Sequence, residues 1–268
     1  MKQWKAAALT AMMLSSVPLM AGAQDEAVTV CILDSGCDDP RAEGKNYLDD
    51  GEELSDEGGH GAFVYQILTE QAPDARLYML KCFSGEEETS SEEEKTRQEQ
   101  AILQALYDAV DVYQADVINI SWTLNVESEA LHEAIAYAYE QGSIVIAAAG
   151  NLSLQTPLGS RTYPAGWEEV IGVGGVDLDA DGNPVSSLWY LQNDSIFVCA
   201  DGNWQGEKGT SFAAPKVTAI VARYLQNAPE EEKNDPQVRE YLKEQAQDLG
   251  ESGYDTVFGW GYVEEKEK

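Results

Sequence analysis

Residues 28–36 read Val-Thr-Val-Cys-Ile-Leu-Asp-Ser-Gly, a β-branched apolar run that stops on a turn. A strand wetted on one side would alternate apolar and polar residues. A nearly continuous run fits a strand of a parallel sheet covered by helices on both faces. In such sheets functional groups collect on the turns at the carboxyl ends of the strands. Asp34 is therefore a candidate, although a strand-end Asp-Ser-Gly is commonly a plain turn. Working outward, similar runs recur at RLYMLKCF (76–83), DVINIS (116–121), SIVIAAA (143–149), VIGVGGV (170–176) and SIFVC (195–199), with Tyr47-Leu48 as a short edge strand. Between and after them lie helical stripes: Phe63, Val64, Ile67 and Leu68; then Ile102, Leu106, Ala109 and Val110; then residues 128–141; finally Val217, Ile220, Val221, Tyr224 and Leu225. Strands alternating with helices predict right-handed crossovers and an α/β fold, a doubly wound, mostly parallel sheet with helices on both faces. No internal repeat or Pro/Ser-rich linker divides residues 24–268, which are expected to form one domain.

Residues 1–23 read as a signal peptide. Lys2 and Lys5 charge the start, Ala6–Met20 are apolar, and Ala21-Gly22-Ala23 is a small-residue cleavage site. The apolar run is short for a membrane span, so a secreted or periplasmic product with no membrane partner is expected. The formal net charge is −31, which argues against nucleic acid and anionic lipid and favours basic partners. Four cysteines (31, 37, 82 and 199) in an oxidising compartment permit zero, one or two disulfides. No C-x-x-C pair exists and the chain has two histidines, so neither metal nor cofactor is expected.

Three groups then attract attention. Gly209-Thr210-Ser211 runs into the last helical stripe, placing Ser211 at a helix start, where unpaired amides favour negative charge. Serine is also a common helix cap, so the position alone decides nothing. His60 heads the first helix within Gly58-Gly59-His60-Gly61, between glycines that permit close approach. It is the candidate general base, since His132 falls on the polar side of a later helix. SIVIAAA ends in Gly150-Asn151.

Together these segments resemble one family, the subtilisin-like serine proteases or subtilases. VCILDSGCD (30–38) resembles its Asp motif and HGAFVYQIL (60–68) its His motif. AAAGN (147–151) resembles its oxyanion segment and GTSFAAPKV (209–217) its nucleophile motif. INISW (118–122) is similar to the strand lining its cleft, YPAGWEEVIGVGGVD (163–177) to the stretch after the oxyanion loop, and FGWGYV (258–263) to its C-terminal segment. The resemblance implies the family's three-layer α/β/α fold, Ser211 as nucleophile, His60 as base then acid, and Asp34 orienting the imidazole. It implies Asn151 and the Ser211 N–H as oxyanion donors, and Ser121, Trp122 and Thr123 as the segment pairing with substrate. Trp122 reads equally well as core.

Departures from the family pattern bear on the rest. Between the cleavage site and the first strand stand only Gln24 to Ala27, where many subtilases have a pro-region. The stretch His60–Lys81 lacks the loop that binds structural calcium in many relatives, Ala62 replaces a common threonine, and Thr123 stands where glycine is usual. In the resembled strand order Cys37 and Cys82 lie at neighbouring carboxyl ends, so a bridge between them and four reduced thiols are both open. The acidic segment 85–95 would border the cleft, either as a solvated loop or as a field steering basic peptides inward. The expected function is an exported serine endopeptidase acting on protein or peptide substrates. The competing expectation is a catalytically silent acidic binding protein on the same scaffold. An α/β-hydrolase is disfavoured because no G-x-S-x-G surrounds Ser211.

Overall fold

The structure, a computed structural model, describes residues 27–49, 51, 53–56, 59–84 and 91–265. Its elements are β1 (Thr29–Asp34), β2 (Glu43–Asn46), α1 (His60–Gln71), β3 (Arg76–Lys81), α2 (Glu92–Asp111), β4 (Val117–Ile120), α3 (Glu129–Glu140) and β5 (Ile144–Ala148). They continue with β6 (Val170–Leu178), β7 (Pro184–Val185), β8 (Val198–Asp201), β9 (Asn203–Trp204), β10 (Glu207–Lys208), α4 (Thr210–Asn227) and α5 (Asp235–Gln245). The expected signal peptide lies outside the described residues.

The main sheet runs β2-β3-β1-β4-β5-β6, with β8 parallel on the far side of β6 and β7 antiparallel at its end. β1 is central, paired with β3 through Asp34↔Lys81 and with β4 through Leu33↔Ile120. Side chains alternate across it: Val30 and Ile32 join one buried cluster, Cys31 and Leu33 the other. The first cluster packs Val64 and Leu68 of α1, Val217, Val221 and Leu225 of α4, and Val238 and Leu242 of α5. The second packs Ile102 and Leu106 of α2 and Leu131 and Ile135 of α3. A strand clothed on both faces has no polar face to show, which is why the run at 28–33 does not alternate.

Three expectations need correcting. The edge strand is Glu43–Asn46, not Tyr47-Leu48. An edge strand has one neighbour and one protected flank, so Glu-Gly-Lys-Asn serves. Gly44 is required there because a Cβ would meet the Met79 carbonyl oxygen at 1.8 Å. The strand assigned to 195–199 is Val198–Asp201, with Phe197 N–H donating to Gly172 O across a bend (2.8 Å). The Cys37–Cys82 bridge is absent, and all four cysteines are free and buried. Cys37 belongs to the α1/α4 cluster and Cys82 to the α2/α3 cluster, so the sheet separates them. Burial, then the nearby Asp34 carboxylate, push the Cys82 thiol well above its ordinary pKa, keeping it protonated and unreactive.

Candidate active site

Asp34 ends β1, and its side chain is fully buried. Its Oδ1 accepts from Ser35 N–H (2.8 Å), from Ser35 Oγ (3.2 Å) and from His60 Nδ1 (2.7 Å). A buried carboxylate oxygen this close to Nδ1 fixes the proton on Nδ1 and leaves the Nε2 lone pair to act as a base. Behind Asp34, the Trp122 indole donates to Leu33 O (2.9 Å) and Cys82 N–H donates to Asp34 O (3.0 Å).

His60 is the first residue of α1. Gly59, at φ 72°, caps that helix without a side-chain bond of its own. Asp56, buried in the preceding loop, supplies the missing acceptor by taking Ala62 N–H at 3.0 Å. Gly61 N–H donates to Ser35 Oγ (3.0 Å), so the two turns lock directly together. The approach is close enough that a Cβ on Gly61 would lie 2.3 Å from Gly36 O. The His60 ring sits between Phe212 (centroids 6.0 Å apart) and Phe83 (6.4 Å), and Phe83 meets Trp122 edge-on (6.4 Å).

Ser211 is the second residue of α4, partly exposed between two anchored neighbours. On one side Thr210 N–H donates to Asn151 Oδ1 (3.0 Å), and Thr210 Oγ1 accepts from Gly150 N–H (3.1 Å). On the other, Phe212 faces His60. In sequence Ser211 thus lies between the residue that Asn151 holds and the residue whose ring neighbours the imidazole. Because a backbone N–H can only donate, its partner on Asn151 must be the amide oxygen, which orients Nδ2 the other way. Among the described residues neither Asn151 Nδ2 nor Ser211 N–H has an acceptor. Two donors at a helix N-terminus are therefore available to a developing negative charge. Upstream, Lys208 Nζ meets Asp177 Oδ2 (2.5 Å) and Tyr190 OH donates to Asp177 Oδ1 (3.1 Å), tethering the β9–β10 hairpin that leads into Ser211.

The cleft-strand residues divide. Ser121 is fully buried and accepts from Asn119 Nδ2 (3.0 Å), while Asn119 Oδ1 accepts from Thr218 Oγ1 (2.9 Å), pinning β4 to α4. Its side chain is structural. Trp122 and Thr123 are half-buried, and among the described residues nothing is hydrogen-bonded to their main chains. Leu124 pairs in both directions with Tyr163 (2.7 and 2.9 Å), closing the far wall. His132 is elsewhere, stacked on Trp167 (4.5 Å, 9°) with Nε2 3.3 Å from Glu169.

The acidic segment also divides. Residues 85–90 lie outside the described residues, but Glu92, Glu93 and Glu94 occupy the first turn of α2. Ser91 and Glu94 form a reciprocal capping box, and Glu92 meets Lys95 (2.8 Å). Half of the glutamates expected to form a loop thus start a helix. Asp56, Ser35, Asn119, Thr210 and Thr218 were not singled out from sequence. An aspartate four residues before a helix-heading histidine was the available signal for Asp56.

The family model described as "Subtilase family" matches residues 25–261. The chain belongs to the subtilase family. It is 27% identical to the minor extracellular protease Epr of Bacillus subtilis over 92% of this chain, which spans 39% of that relative's length. It is 29% identical to the major intracellular serine protease of the same organism, over 75% of this chain and 69% of the relative. The crystal structure of MycP1 from Mycobacterium smegmatis superposes with a TM-score of 0.72 at 20% identity, over 90% of this chain and 78% of that one, and shares the three-layer fold. These relatives include one protease named as extracellular and one as intracellular.

Proposed function

We propose that this subtilase is an exported serine endopeptidase, formed by residues 24–268 after loss of a leader at 1–23. The observation that carries the reading is the fully buried Asp34 oxygen 2.7 Å from His60 Nδ1, beside a helix whose second residue is a serine. Ser211 Oγ attacks the scissile carbonyl carbon while His60 Nε2 takes its proton, and Asp34 stabilises the imidazolium. The carbonyl oxygen becomes an oxyanion held by Asn151 Nδ2 and Ser211 N–H. Collapse expels the amine, which receives the proton from His60, and water then hydrolyses the acyl-enzyme by the same steps. The free main chain of Trp122 and Thr123 pairs with the substrate backbone. The substrates are proteins or peptides, and a formal charge of −31 favours approach of basic ones. Membership of a family whose matched relatives are named proteases supports this over the silent binding scaffold.

Fluorophosphonate labelling of the purified protein tests the reading. A single adduct on Ser211, lost together with peptide hydrolysis in a folded Ser211→Ala variant, is expected. An unlabelled Ser211, or a Ser211→Ala sample that hydrolyses casein as fast as the parent, refutes it.

A further inference from the structure

β4 lies between β1 and β5, and all three turn one face toward the α1/α4 cluster. β1 supplies Val30 and Ile32 there, and β5 supplies Ile144, Ile146 and Ala148. β4 starts alike with Val117 and then changes character, placing Asn119 on the same face and Ser121 just past its end. Both are fully buried, as is Thr218, which meets them from α4. Thr218 Oγ1 donates to Asn119 Oδ1 (2.9 Å), and Asn119 Nδ2 donates to Ser121 Oγ (3.0 Å). An aliphatic side chain would fill the place of Asn119 without burying a polar group, as on both neighbouring strands, so packing alone gives no reason for an amide.

What the network joins supplies one. At one end is the helix of the serine: Ser211 and Thr218 are seven residues apart on α4, on the same helix face and roughly 10 Å apart along its axis. At the other is the strand end that runs into Trp122 and Thr123, whose main chains have no hydrogen-bond partner among the described residues. The Trp122 indole also ties that end to Leu33 O, beside Asp34 (2.9 Å). We propose that Asn119 and Thr218 are positioning residues, whose hydrogen bond sets the main chain of Trp122 and Thr123 at the right height relative to Ser211. The inference rests on the peptidase reading, in which that main chain pairs with the substrate backbone. A hydrogen bond is directional, so it holds the strand in register where apolar contact alone would let it slide. Without the Thr218 O–H, the Asn119 oxygen is left buried and unpaired, and the strand end shifts to relieve it. A misplacement of about 1 Å costs about a hundredfold in rate, so a fraction of that shift costs about tenfold.

The test compares the parent with Thr218→Val, which keeps the shape of the side chain and removes its O–H. Two substrates are used: a peptide with several residues before the scissile bond, and a simple aryl acetate, which has no main chain to pair. With the peptide, kcat is expected to fall about tenfold while KM changes by less than about threefold. Aryl acetate hydrolysis and the rate of fluorophosphonate labelling are expected to stay within about threefold of the parent. Thr218→Ser restores the hydroxyl and is expected to bring the peptide rate back to within about threefold. Equal losses on peptide and ester would make the network a stabiliser of the fold alone and overturn the proposal. So would a loss carried by KM, a Thr218→Ser that stays slow, or a folded Thr218→Val whose peptide kcat is within about twofold of the parent. If the melting temperature shows that Thr218→Val does not fold, Ser121→Ala decides by the same comparison, with an expected peptide loss of about threefold and no ester loss. Fluorophosphonate labelling of the parent reads the serine separately. An unlabelled Ser211 sinks the peptidase reading, whereas a labelled Ser211 with equal losses on the two substrates sinks the positioning role alone.

Discussion

Replacing Gly61 by alanine probes the joint between the two turns that bring Asp34 and His60 together. A Cβ there would lie 2.3 Å from Gly36 O, 2.9 Å from Gly36 N and 3.1 Å from Asp34 Oδ1. The first two are backbone atoms, and Gly36 is itself boxed in, its own Cβ direction blocked by Leu54 O at 2.3 Å. Neither side can yield by rotating a side chain, so the start of α1 must retreat by roughly 1 Å to restore an ordinary contact. The His60–Asp34 separation of 2.7 Å would then open to about 3.7 Å, beyond hydrogen-bonding distance. Overpacking of this kind costs about 1–3 kcal/mol, and stretching the Gly61–Ser35 bond adds about 1 kcal/mol. A 1 Å misplacement of a reacting group costs about a hundredfold in rate. The expected outcome is kcat/KM on a peptide substrate down about a hundredfold and Tm down by about 4–16 °C. Gly142→Ala is the control: its φ is also positive (96°), but nothing lies within 4 Å of the new Cβ, so it strains the backbone without a clash. If Gly61→Ala hydrolyses within about threefold of the parent, the close packing of the two turns does not set the imidazole and the reasoning fails.

Other expectations follow from the same geometry. Asn151→Ala should keep Ser211 reactive to fluorophosphonate but lower kcat about 10²- to 10³-fold, the loss for one oxyanion donor; unchanged turnover would remove Asn151 from that role. Asp56→Asn should lower Tm and slow hydrolysis, because the charged acceptor of the Ala62 N–H at the start of α1 is lost, while KM changes little; a KM effect alone would contradict this. Burial raises the pKa of Asp177, but hydrogen bonds from Lys208, Ser187, Asn203 and Tyr190 outweigh it and hold the carboxyl below its ordinary range. Its stabilisation is therefore present above the unfolded carboxylate pKa and lost as pH falls through the folded one. The Tm gap between parent and Asp177→Asn should be widest near neutrality and narrow in acid; a gap independent of pH would refute the assignment. With four buried free thiols, reducing agent should change neither Tm nor peptide hydrolysis, and a shift in either would reveal a disulfide.

The alternation of buried strands with amphipathic helices was legible because both faces of the sheet are covered: the hydrophobic run at 28–33 and the stripes at 63–68 and 217–225 answer to local periodicity. The shortest elements escaped. β2, with the sequence Glu-Gly-Lys-Asn, carries no apolar signal because an edge strand is held by backbone bonds to one neighbour. β9 and β10 are two residues each, too short for any period to register.

The site divides along the same line. Asp34, His60 and Ser211 stood out in the sequence as candidates because each ends a strand or lies at a helix start, where a turn residue contrasts with the apolar run beside it, whereas Asn151 was singled out through the resemblance to the subtilase motifs. What those residues touch could not be named. That Asn151 spends its oxygen on Thr210 N–H and keeps its nitrogen free depends on atoms 59 residues apart. That the Ser121 side chain is taken up by Asn119 depends on Thr218, which reaches Asn119 across 99 residues. The fate of the cysteines turns on which face of the sheet each side chain joins, a fact of packing on which spacing is silent. Sequence determined the elements and their chemistry, because hydrophobic period and turn preference act over a few residues. Only the tertiary structure decided the pairings, because a hydrogen bond or a cleft wall is a property of two segments whose separation along the chain says nothing about their distance in space.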